Sequence, residues 1–324
     1  MSRSFEEAVA AAAAVLGPRA RPRVPLGPLT TYRVGGPAAL FLEATGEDDL
    51  VLARRAMAAS GLPALVIGRG SNLLVSDRGF PGLALTLGDA FASMALGGPG
   101  VRAGGAVSLP VLARRTAAAC RRGLVWAVGV PGSVGGAVRM NAGGHGSDVR
   151  ASLSRAWVFD LVAESGGPDG AVEVAPVDLA LGYRRSSLRP DQVVVAAEFV
   201  LTVGDRASSE EEIATIVRWR REHQPGGANA GSVFTNPEGD SAGRLIEAAG
   251  LRGHRRGSAF VSPKHANFVQ VDEGGSAGDV RDLVEEVRTR VHQRLGVLLE
   301  LENRLVGFDQ SHPSMEVQHG PSLP

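Results

Sequence analysis

Cysteine, lysine and tyrosine are scarce in this chain: one cysteine, two tyrosines and, at position 264, one lysine. The single Cys120 excludes an internal disulfide and a cysteine-built metal site, and a cytoplasmic location fits that usage. No run of about 20 apolar residues occurs, so no membrane-spanning helix is expected. Formal net charge is zero, with 34 basic and 34 acidic residues mixed along the chain. There is thus no electrostatic footprint for nucleic acid or a membrane surface. No Gly-Lys-Ser/Thr run marks a Walker A loop, and no His-Glu-x-x-His pattern or histidine spacing marks a metal site.

What is present is a core-forming chain of 324 residues, 44% hydrophobic and rich in glycine. That length allows about two domains. "SFEEAVAAAAAVLG" carries glutamates where a secretion signal carries positive charge, and Ser4 reads as the cap of a surface helix. Beyond it short strands alternate with helices, without any period of repeat-protein size. "AALFLEA" and "PALVIG" read as strands flanking a helix from Glu47 to Ser60. "GLALTL" and "FASMAL" read as further strands, and "SLPVLARRTAAACRRG" as a helix opened by Ser108 that takes in Cys120. "SRAWVFDLV" and "VVVAAEFVLTV" are strands, and "SSEEEIATIVRWRREH" is a helix with Ser209 as its cap. After a composition shift at "HQPGGANAGS" come the helix "SAGRLIEAAG", the strands "SAFVS" and "NFVQV", a helix from Ser276 to Leu295 and a last strand, "LLELENRLV". The expected layout is α+β in two parts: lead-in 1–26, a first domain 27–206, a smaller second domain 207–308 and a disordered tail 309–324.

Two glycine-rich segments stand out. "VIGRGSNLLV" (66–75) follows a strand and exposes consecutive amides that a phosphate can approach. It lacks the third glycine and the following helix of a dinucleotide fingerprint. "VPGSVGGAVRMNAGGHG" (130–146) holds six glycines in seventeen residues. Each alone is equally a tight turn or a close-packed loop. Together they suit a ligand with a pyrophosphate and a flat polar ring, such as a flavin dinucleotide.

These segments belong to a larger series: "TTYRVGGPA", "VIGRGSNLLVSDRGFPGL", "GVPGSVGGAVRMNAGGHG", "GYRRSSL", "AGSVFTNP", "AGRLIEAAGLRG", "SPKHANF" and "VLLELENRLVG". In this order the series, over residues 27–307, resembles the UDP-N-acetylenolpyruvoylglucosamine reductase (UDP-N-acetylmuramate dehydrogenase) family. The resemblance implies a flavin domain of the vanillyl-alcohol-oxidase (PCMH) type and a smaller α+β substrate domain. It further implies non-covalent FAD, NADPH as co-substrate, a UDP-sugar substrate and a cytoplasmic monomer serving peptidoglycan synthesis. In the implied reaction, hydride from the reduced flavin adds to C3 of an enolpyruvyl ether, and C2 is then protonated. Arg184 and Glu302 fall on the family's enolate-stabilising pair and Ser232 on its proton donor, with Glu300 the other candidate for the glutamate. A bare sequence reading would make each an ordinary surface or turn residue.

For the cofactor the resemblance implies Tyr32, Arg33, Gly35, Gly68, Arg69, Gly70, Ser71, Asn72, Leu73, Pro131, Gly132, Ser133, Gly135, Gly136, Asn141 and Gly143. For the substrate the candidates are Asn236, by its place in the "F-x-N-P" motif, and Lys264, as the lone lysine beside His265; Tyr183 is a candidate for shaping the nicotinamide or substrate site. The chain departs from the family pattern at Thr235, where a lysine is usual, and at "ENRLVG", where Glu-Val-Arg is more usual. The segment between Arg184 and Ser232 is too short for the tyrosine-bearing lid of one family branch. An oxidase on the same cofactor fold, or a nucleotide-binding protein without activity, are the competing readings.

Overall fold

Ser4 and Glu7 start the first helix as the sequence suggests. Each side chain accepts from the other residue's amide, closing a capping box on α1 (Phe5–Leu16). The computed structural model describes residues 4–162 and 170–308, so the tail expected at 309–324 lies outside the described residues. α1 packs with α2 (Glu47–Ser60) over a sheet ordered Arg21–Pro22, Ala38–Ala44, Phe80–Leu87, Ala64–Ile67. The last three strands pair in parallel. The central one is buried from Gly82 to Leu85, as a parallel strand covered on both faces must be.

A second, antiparallel sheet runs Val172–Val174, Leu153–Asp160, Gln192–Val200, Gly100–Gly104, Met94–Gly97. Its central strand sends Val193 and Val195 into the core under α1 and α2, and Val194, Ala197 and Phe199 into a second core. An irregularity in the pairing between Trp157 and Val158 switches the alternation there. α3 (Leu109–Ala118), α4 (Val134–Met140) and α5 (Arg206–His223) surround that second core. Because Ile213 and Ile216 of α5 pack into it, the helix goes with the first part of the chain. The change of core then falls at the composition shift after His223.

The second part lays α6 (Ala242–Ala248) and α7 (Ala277–Leu295) against the sheet Arg255–Arg256, Ala259–Val261, Val269–Val271. Val280, Leu283, Val284, Val287 and Val291 form the buried stripe of α7. The two parts are sewn together. Tyr32, Val34 and Leu74 of the first part are buried in the core of the second. Strand Arg304–Val306 pairs in parallel with Leu73–Val75. The carboxylate of Asp77 accepts from the first amides of α7, at Ala277 and Gly278, both at 2.9 Å.

Four local expectations need correction. α5 begins three residues before Ser209, because Asp205 caps it; Ser209 is buried inside the helix and donates back to the Asp205 carbonyl. "FASMAL" is strand only from Met94, since Phe91 ends a 3-10 turn. α3 stops at Ala118, leaving Cys120 in an exposed turn at φ 54°. "LLELENRLV" is strand only over Arg304–Val306. Residues 300–303 exchange hydrogen bonds with the 232–235 loop first and with Asn72 next, so no single ladder forms. Among the described residues no helix is long and apolar enough to cross a membrane.

Candidate active site

The seam between the parts opens into a cleft of about 750 Å³, lined by both glycine-rich segments and by residues 224–227, 229–232, 268, 302 and 304–307 of the second part. Its inner walls are apolar, with Leu65, Val66, Phe80, Leu109, Val130 and Met140. Among the described residues five arginines, Arg69, Arg139, Arg184, Arg220 and Arg304, reach it against one carboxylate, Glu302. Such a cleft attracts anions. Burial, and then the neighbouring charge of Arg304, push Arg139 down to about 10. Burial likewise lowers Arg220.

The glycines of the two loops let main chain lie against main chain. A Cβ at Gly70, held at φ 60°, would sit 2.1 Å from the Leu29 carbonyl oxygen, and one at Gly68 would sit 2.5 Å from Ser133 Oγ. Packed this way, the loops present the amides of Gly70, Ser71 and Ser133, which find no acceptor among the described residues. Unpaired amide donors on both loops, facing an apolar slot, fit a diphosphate joined to a flat ring.

Arg184 sits at the tip of a tight turn closed by hydrogen bonds between Gly182 and Arg185. Its φ of 56° is a conformation that costs a non-glycine residue about 1 kcal/mol. That turn aims the guanidinium inward: Nε donates to Glu302 Oε1 at 2.8 Å and Nη2 to the Gly143 carbonyl at 3.0 Å. Burial raises the Glu302 carboxyl above its ordinary value, and the Arg184 charge and hydrogen bond partly oppose the shift. Glu302 Oε2 has no partner among the described residues. Ser232 lines the same cleft, its hydroxyl also without a partner among the described residues. Glu300 is exposed and lines no part of the cleft.

Of the residues singled out in the sequence, the cleft brings together Gly68, Arg69, Gly70, Ser71, Asn72, Leu73, Pro131, Gly132, Ser133, Gly136, Gly143, Arg184, Ser232 and Glu302. Others stand behind it or apart. Tyr32 is buried, its hydroxyl on Asn303 Oδ1 at 3.3 Å. Arg33 is exposed, and Gly35 is wedged against the Val75 backbone. Gly135 packs on the Gly105 and Val194 carbonyls. Asn141 pins the Arg184 turn from behind by donating to the Gly182 carbonyl at 2.9 Å. Tyr183 is exposed, with the Arg184 guanidinium 5.1 Å from its ring centroid. Asn236 accepts from the Ala242 amide at the start of α6. Lys264 donates to the Arg221 carbonyl in the last turn of α5, a favourable end for a cation. Thr235 donates to Glu300, outside the cleft.

Arg139, Arg220, Arg304 and Asn303 were not among the expected site residues. Arg139 and Arg304 lie inside motifs already singled out, which was the available signal. Asn303 was visible only as a departure from the family pattern.

Comparison with known proteins gives concordant matches. Residues 223–306 match the family described as UDP-N-acetylenolpyruvoylglucosamine reductase, C-terminal domain, and residues 38–160 match an FAD binding domain. A UDP-N-acetylenolpyruvoylglucosamine reductase of Symbiobacterium thermophilum is 40% identical over 91% of this chain and 94% of its own. One of Rubrobacter xylanophilus is 40% identical over 90% and 97%. The crystal structure of the Thermus caldophilus reductase superposes with a TM-score of 0.76 at 35% identity, covering 89% of this chain and 99% of that one.

Proposed function

The chain belongs to the UDP-N-acetylenolpyruvoylglucosamine reductase family, and from that premise we propose that Arg184, Glu302 and Ser232 carry its chemistry. The enzyme is an FAD-dependent oxidoreductase that reduces the enolpyruvyl ether of UDP-N-acetylglucosamine with NADPH, in peptidoglycan precursor synthesis. FAD, bound by the domain of the vanillyl-alcohol-oxidase type, supplies hydride transfer from NADPH to the substrate. The amides of Gly70, Ser71 and Ser133, with the arginines at the cleft, are the groups that would hold it.

The observation that carries the assignment is the half-buried pair of Arg184 and Glu302 in the cleft lined by Ser232. Hydride addition to an alkene conjugated with a carboxylate builds charge on the carboxylate oxygens. Arg184 has Nη1 and one Nη2 hydrogen left for those oxygens after serving Glu302 and Gly143. Glu302, biased by burial toward its neutral form, accepts from Arg184 at Oε1 and has Oε2 free to donate to the same enolate. Ser232 delivers the proton to C2. An alcohol is a weak acid, but the carbanion-like centre is a strong base, and a positioned donor is worth roughly 10²–10⁴-fold.

The finer reading is a cytoplasmic monomer working without nucleic acid or membrane; support comes from a cleft enclosed by one chain and from zero formal net charge. The decisive experiment separates the two half-reactions by stopped flow. Ser232→Ala is expected to leave flavin bleaching by NADPH within about twofold while slowing reoxidation by the enolpyruvyl substrate by at least about 10²-fold. Equal slowing of both, or of neither, overturns Ser232 as the proton donor.

A further inference from the structure

Residue 303 follows the cleft glutamate and is a buried asparagine, 7% exposed. A buried amide without partners is unfavourable, yet every polar atom of this one is used. Asn303 Nδ2 shares its two hydrogens among three acceptors, Asn72 Oδ1 at 2.9 Å and the carbonyls of Ala230 and Ser232 at 3.1 Å each. Its Oδ1 accepts from the buried Tyr32 hydroxyl at 3.3 Å. The opposite amide orientation would set Oδ1 against two carbonyl oxygens, so the network fixes the side chain in one direction.

Asn303 therefore touches, with one side chain, the first glycine loop and the loop that carries the Ser232 hydroxyl. Asn72 extends the bracket: its Nδ2 donates to the Glu302 carbonyl at 3.0 Å, and its own carbonyl accepts from the Arg304 amide at 2.9 Å. Ser232 follows Gly231, at φ 73°, whose amide donates to Asn229 Oδ1 at 3.1 Å; Ser232 itself has no other side-chain partner among the described residues.

We propose that Asn303 is a positioning residue, which sets the Ser232 hydroxyl in register with the Asn72 loop and hence with the cofactor that loop holds. The proposal rests on Ser232 as proton donor. Asn303 never touches the substrate. It acts by fixing the carbonyl of the residue whose hydroxyl does, and proton delivery falls steeply when the donor is displaced by even about 1 Å.

The test uses the full-length holoenzyme and two variants, Asn303→Val, which removes every polar atom of the side chain, and Asn303→Asp, which keeps the volume but removes the donor. Visible flavin spectra confirm that each holds FAD, and whichever does so is measured. Reoxidation by the enolpyruvyl substrate is expected to slow by about 10- to 100-fold while bleaching by NADPH stays within about twofold. The solvent deuterium effect on reoxidation should rise, which loss of mere stability would not cause. In the double variant with Ser232→Ala the two losses should not multiply, because Asn303 acts through Ser232. Normal reoxidation in the Asn303 variants, with Ser232→Ala slow, overturns this proposal alone, as does multiplicative loss. Normal reoxidation in Ser232→Ala overturns the reading beneath it and the proposal together. Failure of both Asn303 variants to bind FAD also overturns it, since Asn303 is then a folding residue.

Discussion

On one wall of the cleft, a Cβ at Gly70 would press on the Leu29 carbonyl oxygen at 2.1 Å; on the other, a Cβ at Gly226 or Gly231 would meet nothing within 4 Å among the described residues. The first wall uses glycine so that protein can pack on protein. Its amides are thereby set in place before any ligand arrives, which is what a tightly held cofactor requires. Glycine on the second wall leaves space that the protein itself does not fill. Such a wall suits a ligand that enters and leaves at every turnover.

The largest effect that can break this comparison is expected at Gly70. Alanine there combines a left-handed backbone with a collision against main chain, so the loop must move. We expect Gly70→Ala to destabilise the apoprotein by about 3–4 kcal/mol and to abolish FAD retention. Denaturant unfolding and the visible spectrum check both. An apoprotein of wild-type stability would mean that this wall is not self-supported.

Next in size is the clasp that holds the walls in register. Asp77 satisfies two orphan amides of α7 from across the seam. Asp77→Ala is expected to cost about 1 kcal/mol, the range of a lost helix cap, and to loosen the second part relative to the first. Hydrogen exchange should then quicken in the first turn of α7 and in Arg304–Val306, while the strand Phe80–Leu87 stays protected. Uniform quickening would place the coupling elsewhere.

The self-packed wall was also the more legible one in the sequence. Ser4 is a helix cap in place, Ser108 opens its helix as expected, and the loop amides follow from glycine spacing, because both signals are local. Ser209 misled because Asp205 is an equally good cap four residues earlier and is the one used. What escaped was set by contacts hundreds of residues apart. Asn303 meets Asn72 across 231 positions and Tyr32 across 271. Residues 299–303 alternate like a strand, yet their partners change from Phe234 to Asn72 within a few residues. No periodicity encodes such a switch.

The smallest effects sharpen the comparison on the open wall. Gly231→Ala meets no atom but keeps φ at 73°, and should cost only about 1 kcal/mol. Gly226→Ala lacks even that strain and should unfold within about 0.5 kcal/mol of the parent. Its methyl nevertheless projects from a residue that lines the cleft. With the UDP-sugar bound against Gly226, Gly226→Ala should raise the KM for that substrate by about tenfold, leaving flavin content and the rate of bleaching by NADPH alone, since a methyl misfit in a binding pocket is worth about 1–3 kcal/mol. Unchanged KM would show that the space at Gly226 is bare surface, and the contrast between the walls would then rest on Gly231 alone.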